Sequence, residues 1–296
     1  MFEKIKGNIL FRGFLKRPDI NKAYAMVGPE DSWFQTISTV HNSLAEIQKL
    51  PHETWKITSH DGLCLRGLFY PGESDKTMIW VHGYTSHAER ESAFPGLFYH
   101  SMGYNVLIPY QRAHGISEGK FISFGALEQE DMQLWVDRVN QVHPHGQILI
   151  HGLSMGGGIV LDLASRDMKN VKCLIADAPN VSIEGVLRGA TNFTFKKNAD
   201  KICPYVIARY QKEFSRDAAA FDRMNTISGG RYPLLLSAGS KEGLEEVFAQ
   251  LKEKNPQETE IVILPGCDHG NGMYKQTQMY QNAIRDFVER YITKGQ

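Results

Sequence analysis

Cysteine is scarce in this chain of 296 residues, with four in all: Cys64, Cys173, Cys203 and Cys267. They form no CxxC pair and no metal-ligand spacing, so neither a disulfide framework nor a zinc site is signalled; they read as reduced, buried thiols. An excess of charge is missing as well. Lys+Arg and Asp+Glu stand at 33 each, and the pI is about 7.2, so the chain has no overall electrostatic footprint for nucleic acid. No apolar run reaches the roughly 18 residues of a membrane-spanning helix. The N-terminal MFEKIKGNILFRGFLKRPD is interrupted by basic residues and has no apolar core or cleavage site of a signal peptide. These absences predict a cytoplasmic protein. Low-complexity tracts are also absent, and 42% hydrophobic with 22% charged residues is the composition of a folded enzyme-sized domain.

Residues 1–50 read as an N-terminal helical preamble: a basic, aromatic segment, a Gly28-Pro29 break, and a helix from about Ser32 to Leu50 ended by Pro51. Its apolar and basic mixture suits either packing on the side of the domain, which is favoured, or contact with a membrane surface. From 51 to 296 the pattern is that of one domain. WKITSH and CLRGLFY flank Asp61-Gly62 and predict a hairpin with a tight turn. TMIWVHG, NVLIPY, QILIHG, KCLIADAP, PLLLSAG and EIVILPG follow as continuous apolar runs, the mark of strands buried on both faces. Helical segments near 89–101, 125–142, 155–167, 242–253 and 273–293 separate most of them, which predicts a mostly parallel, doubly wound α/β sheet with helices on both faces. The long interval between KCLIADAP and PLLLSAG predicts a small helical cap over about 181–228. No internal repeat is present.

The chemistry centres on Gly152-Leu153-Ser154-Met155-Gly156, a G-x-S-x-G placed directly after a buried strand and before a helix. A serine at such a strained turn needs small residues two before and two after it, and its hydroxyl then stands at a helix N-terminus where negative charge is favoured. A phosphate loop would need Gly-Lys before Ser or Thr, and no lysine is present. In WVHGYTSH the strand end His82-Gly83 precedes Tyr84; the backbone N–H groups of Tyr84 and Met155 are the expected oxyanion donors. His82 lies too early in the chain for a base in the order Ser, acid, His, and reads as structural. ILPGCDHGNGMY places His269 on a Gly-rich loop after the last strand, as the expected general base. Asp268 and Cys267 read as loop residues, with a reactive Cys267 thiol left open. Glu242, three residues beyond Gly239, is the leading acid; Glu245 and Glu246 read as solvated helix carboxylates, and Asp177, after the preceding strand, is the alternative acid.

With those residues in place, about 55–292 resembles the α/β-hydrolase superfamily, particularly bacterial hydrolases grouped with serine aminopeptidases, monoglyceride lipases and related esterases. NVLIPYQRAHGISEG is similar to the family's D-x-R-x-H-G-x-S-x-G, with Arg112, His114, Gly115, Ser117 and Gly119 matching as a structural turn and Tyr110 in place of the acid. The family's G-x-x-D after the seventh strand has Glu242 instead of Asp. The resemblance implies hydrolysis of a small-molecule carboxylic ester through an acyl-enzyme on Ser154, with no cofactor or metal. Thioesterase, amidase or aminopeptidase, and acyltransferase activity stay open, as does a non-catalytic ligand-binding role; a haloalkane dehalogenase would carry a carboxylate in place of Ser154.

Overall fold

The apolar runs of the sequence become the strands of one sheet in the computed structural model, which describes residues 1–19 and 31–292. The Gly28-Pro29 break lies outside the described residues. The strands are β1 (Glu53–Thr58), β2 (Cys64–Tyr70), β3 (Thr77–Val81), β4 (Asn105–Tyr110), β5 (Ile148–Leu153), β6 (Val171–Asp177), β7 (Leu234–Gly239) and β8 (Thr259–Leu264). The helices are α1 (Phe2–Leu15), α2 (Ile37–Ile47), α3 (Ala88–Ser101), α4 (Glu128–Val142), α5 (Met155–Leu163), α6 (Ile183–Phe195), α7 (Ala199–Phe214), α8 (Arg223–Thr226), α9 (Glu245–Lys254), α10 (Gly272–Lys275) and α11 (Thr277–Tyr291).

The strand order is β1-β2-β4-β3-β5-β6-β7-β8. The β1–β2 and β2–β4 pairs are antiparallel, and every pair from β4–β3 to β7–β8 is parallel. Alternate residues of β5 feed two cores: Ile148 and Ile150 join a cluster with Trp135 of α4 and Phe248 of α9, whereas Leu149 and Leu153 join one with Tyr99 of α3 and Phe287 of α11. Both faces of the sheet are thereby covered, which is why β3, β4, β5 and β7 read as unbroken apolar runs and not as alternating ones. Among the described residues no helix is long and apolar enough to cross a membrane.

Two expectations need correction, at the β1–β2 turn and at 32–50, and one helix lies where none was placed. The β1–β2 connection is not a two-residue turn, because 59–63 all lie between the strands and Gly62 alone takes a positive φ, +86°. Asp61 instead turns its carboxylate to Arg112, whose Nη1 donates to Oδ2 at 2.9 Å. The N-terminal region holds an additional helix, α1, whose Phe11 and Leu15 are fully buried. Gly7 lets α1 approach the cap helix α7, since a Cβ at that position would lie 2.8 Å from Tyr205 Cβ. The segment expected to run as a helix from 32 to 50 is a 3₁₀ turn, Phe34–Thr36, followed by α2.

Helices α6, α7 and α8 occupy the interval expected for the cap. Its exit is tied to α5 by Arg223, which is fully buried and donates through Nε and Nη2 to Asp162 of α5 at 3.0 and 2.6 Å, and through Nη2 to the Phe124 carbonyl at 2.8 Å. A buried guanidinium with paired, charge-assisted bonds on this scale leaves a large desolvation cost if one partner is removed.

Candidate active site

The β5–α5 turn is built by the absence of side chains. A Cβ on Gly152 would lie 2.3 Å from the Gly156 carbonyl oxygen, and one on Gly156 only 1.8 Å from that of Val81. Both distances are impossible for a real carbon, so the crossing of β5 and α5 over β3 requires glycine at each position. Between them Ser154 is held at φ +59°, ψ −112°, a region that non-glycine residues occupy only when their surroundings force it. The Ser154 hydroxyl is thereby lifted off the sheet at the N-terminus of α5.

The structure brings Ser154, His269 and Glu242 into one chain of hydrogen bonds. His269 Nε2 lies 2.8 Å from Ser154 Oγ, and its Nδ1 lies 2.6 Å from Glu242 Oε2. The consistent proton arrangement has Nδ1–H donating to the carboxylate and Nε2 accepting from the serine hydroxyl. Glu242 is fixed from behind, because Gly239 N–H donates to its Oε1 at 2.8 Å. The hydrogen bond to Glu242 raises the His269 pKa against the opposing effect of burial, with further support from the charges of Glu242, Asp177 and Glu91.

Asp177, the alternative acid, does not meet His269. Its Oδ2 accepts from the Tyr280 hydroxyl at 2.9 Å, and burial pushes its pKa up to about 7. That same hydroxyl lies 3.0 Å from His151 Nε2, and His151 Nδ1 lies 3.0 Å from Tyr99 Oη. Asp177 thus ends a buried polar network behind the sheet. His82 is likewise internal: Nδ1 faces the Gly83 carbonyl at 2.9 Å, and Nε2 accepts from Gln111 N–H at 3.1 Å. Cys267 is buried with its thiol donating to the Pro265 carbonyl at 3.5 Å, and burial raises its pKa, so it has little thiolate to offer. Asp268 faces Lys241 at 3.2 Å and Lys275 at 3.8 Å. Glu245 and Glu246 lie in the first turn of α9. The R-x-H-G turn is structural: Arg112 bridges Asp61 and Asp131, and Ser117 Oγ donates to the Tyr110 carbonyl at 2.5 Å.

A cavity of about 290 Å³ opens beside Ser154 and His269, walled by Trp33, Ile37, Val40, Tyr84, Leu153 and Tyr274. Trp33 meets Tyr274 edge-on, with ring centroids 5.6 Å apart. This wall was not foreseen from the sequence: the interval expected to form a cap supplies no lining residue, and Phe193 of α6 is 87% exposed. The N-terminal segment read as a preamble takes that role. Glu91 of α3 was also missed. It lines the cavity, and its Oε1 accepts from Gly83 N–H and Trp80 Nε1, each at 3.0 Å, while burial pushes its pKa up to about 7. Gly83 N–H is thus committed to Glu91, and Tyr84, the next residue, lines the cavity.

Residues 72–226, just over half the chain, match the serine aminopeptidase S33 family. The uncharacterized protein YqkD of Bacillus subtilis is 23% identical over 254 residues, spanning 84% of this chain and 83% of that protein. An esterase from Pyrococcus furiosus superposes with a TM-score of 0.66 at 25% identity, covering 84% of this chain and 94% of the other. Est1E of Butyrivibrio proteoclasticus, captured with ferulic acid, superposes with a TM-score of 0.66 at 20% identity over 81% of this chain and 100% of that one, a likeness of fold. The chain therefore belongs to the serine aminopeptidase S33 family of the α/β-hydrolase superfamily, and is a hydrolase.

Proposed function

We propose that this protein is a cytoplasmic serine esterase acting on small carboxylic esters. The observation that carries the reading is the chain of hydrogen bonds Ser154 Oγ, His269, Glu242, at 2.8 and 2.6 Å. Ser154 Oγ attacks the ester carbonyl and its proton passes to His269 Nε2; the imidazolium, stabilised by Glu242, then gives that proton to the departing alkoxide. Water attacks the acyl-enzyme with His269 again as base, which returns the hydroxyl to Ser154. The Tyr84 and Met155 N–H groups receive the developing oxyanion, the second of them at the N-terminus of α5 where the helix dipole adds to the field.

The cavity size bears on the substrate. About 290 Å³ lies at the low end of the roughly 300–1,000 Å³ of small-molecule sites, and its aromatic and aliphatic walls suit a short or aromatic acyl group more than an extended lipid chain. An aminopeptidase would need a carboxylate for the substrate's ammonium group. Glu91 is the carboxylate on this wall, but its Oε1 is occupied by Gly83 and Trp80, which favours the ester reading. The test is a panel of p-nitrophenyl esters of increasing acyl length beside amino-acid p-nitroanilides. Turnover of short or aromatic esters with none of the anilides is expected; anilide turnover exceeding that of every ester would replace the reading with aminopeptidase.

A further inference from the structure

Helix α1 carries apolar side chains on two opposed faces. Gly7, Phe11 and Leu15 are buried, and at about 100° per residue they fall on one side of the helix. Phe2, Ile5 and Ile9 fall together on the other side, roughly 150° away, and they are 76%, 50% and 65% exposed. Contact with α7 accounts for the first face, and among the described residues the second is left uncovered. Isolated exposed apolar residues are ordinary, but three at i, i+3 and i+7 on one helix form a stripe.

The charges bordering the stripe identify what it fits. Lys6 and Arg12 flank the stripe on its two sides, Lys4 and Lys16 stand exposed near the two ends of the helix, and Glu3 is the single acid of the helix. Gly13, on the same outward side, has no atom within 4 Å of where a Cβ would lie, so the surface there is open. We propose that the outer face of α1 docks on an anionic lipid bilayer, with Phe2, Ile5 and Ile9 entering the boundary between headgroups and acyl chains and the lysines and arginine meeting lipid phosphates. Apolar residues on one side with cations along the margins are the pattern of helices that lie in the plane of a membrane surface. A second copy of the chain fits less well, since a two-fold contact through this stripe brings Lys6 and Arg12 of one copy against those of the other.

The docking helix also reaches the cavity. The Tyr84 hydroxyl donates to the Phe14 carbonyl in the last turn of α1, and the Phe14 and Tyr84 rings lie 5.0 Å apart. A chain held by α1 would therefore keep the Tyr84 wall of the cavity close to the bilayer surface. Docking itself does not depend on the reaction proposed above.

The experiment is co-sedimentation of the full chain with vesicles of phosphatidylcholine alone or mixed with an equal part of phosphatidylglycerol. Partitioning onto the anionic vesicles should exceed that onto the neutral ones by about tenfold or more and fall as salt is added. The Ile5→Glu/Ile9→Glu double variant, and separately Lys6→Glu/Arg12→Glu, should each lose about tenfold of that partitioning, with hydrolysis of a soluble ester and the melting temperature unchanged. Both pairs are exposed, so folding is spared; should the double variant melt early, Phe2→Ser carries the same test. Equal binding to both vesicle types, binding that survives all three variants, or no binding at all would overturn the proposal. Self-association that the Ile5→Glu/Ile9→Glu variant abolishes, without vesicle binding, would overturn it in favour of a second copy.

Discussion

Replacing Glu242 by Gln keeps the size of the side chain and its acceptor for Gly239 N–H, and removes the charge that faces His269. The structure sets the magnitude. An imidazolium and a carboxylate about 4 Å apart attract by about 4 kcal/mol at an effective dielectric of about 20 and by about 1 kcal/mol in bulk water. The His269 side chain is 58% exposed and that of Glu242 10%, so the pair lies between those limits, near 2–3 kcal/mol, or roughly 30- to 150-fold in rate. A second effect adds to the first. The Gln amide can present N–H to Nδ1 and so favour the tautomer protonated at Nε2, which cannot accept the proton of Ser154. Where the acid of a comparable triad is removed the loss is about ten-thousandfold, so the expected fall in kcat/KM lies between about a hundredfold and that limit. The assay is hydrolysis of a short p-nitrophenyl ester as a function of pH. Glu242 raises the His269 pKa and catalysis needs the neutral imidazole, so loss of the charge should move the acid limb of the profile to lower pH. Asp177→Asn, which touches Tyr280 and not His269, should cost less than about tenfold. A fall under threefold for Glu242→Gln, or a limb that moves upward, would show that Glu242 does not act on His269; a large loss at Asp177 instead would transfer the role to that carboxylate.

Trp33→Ala and Tyr274→Ala should each widen the range of acyl groups accepted, because both rings wall the cavity, whereas Phe193→Ala should leave the acyl profile unchanged; the ratio of kcat/KM across acyl lengths checks this. Arg223→Met strands Asp162 as a buried, unpaired carboxylate and should lower unfolding stability by about 3–5 kcal/mol, read from the urea midpoint. Gly156→Ala forces a carbon into the Val81 carbonyl and should leave little soluble, active protein, as judged by yield and by turnover of what is recovered.

The centre of the sheet was legible because β3, β4, β5 and β7 are buried on both faces, so that each announces itself as a continuous apolar run without any need for a partner. The sharp turn at Ser154 was legible for a local reason as well: all of its glycine requirements fall within a few residues. His269 and Glu242 followed from chain order, the first after β8 and the second after β7. What stayed hidden depends on contacts between distant segments. Trp33 reaches Tyr274 across the molecule, and the segment around it looks on its own like any amphipathic surface helix. Glu91 resembles an ordinary exposed helix carboxylate in AERES, and only the fold brings Gly83 and Trp80 onto it. The Arg223–Asp162 pair joins residues with no shared pattern. The interval 181–228 was read as a cap from its length and hydrophobic content, but neither says which way a helical insertion leans; here α1 packs on α7, and part of the wall beside Ser154 comes from residues 33–41.

The central claim, that Ser154 is a nucleophile activated by His269, is tested most directly by covalent labelling. The folded protein is incubated with a fluorophosphonate, and its intact mass and modified peptide are read by mass spectrometry. One adduct per chain on Ser154 is expected, absent in Ser154→Ala and slowed by at least about a hundredfold in His269→Ala, with the melting temperatures of both variants close to that of the parent. Full labelling of the folded Ser154→Ala variant, or an adduct on any other residue at the same rate, would contradict it.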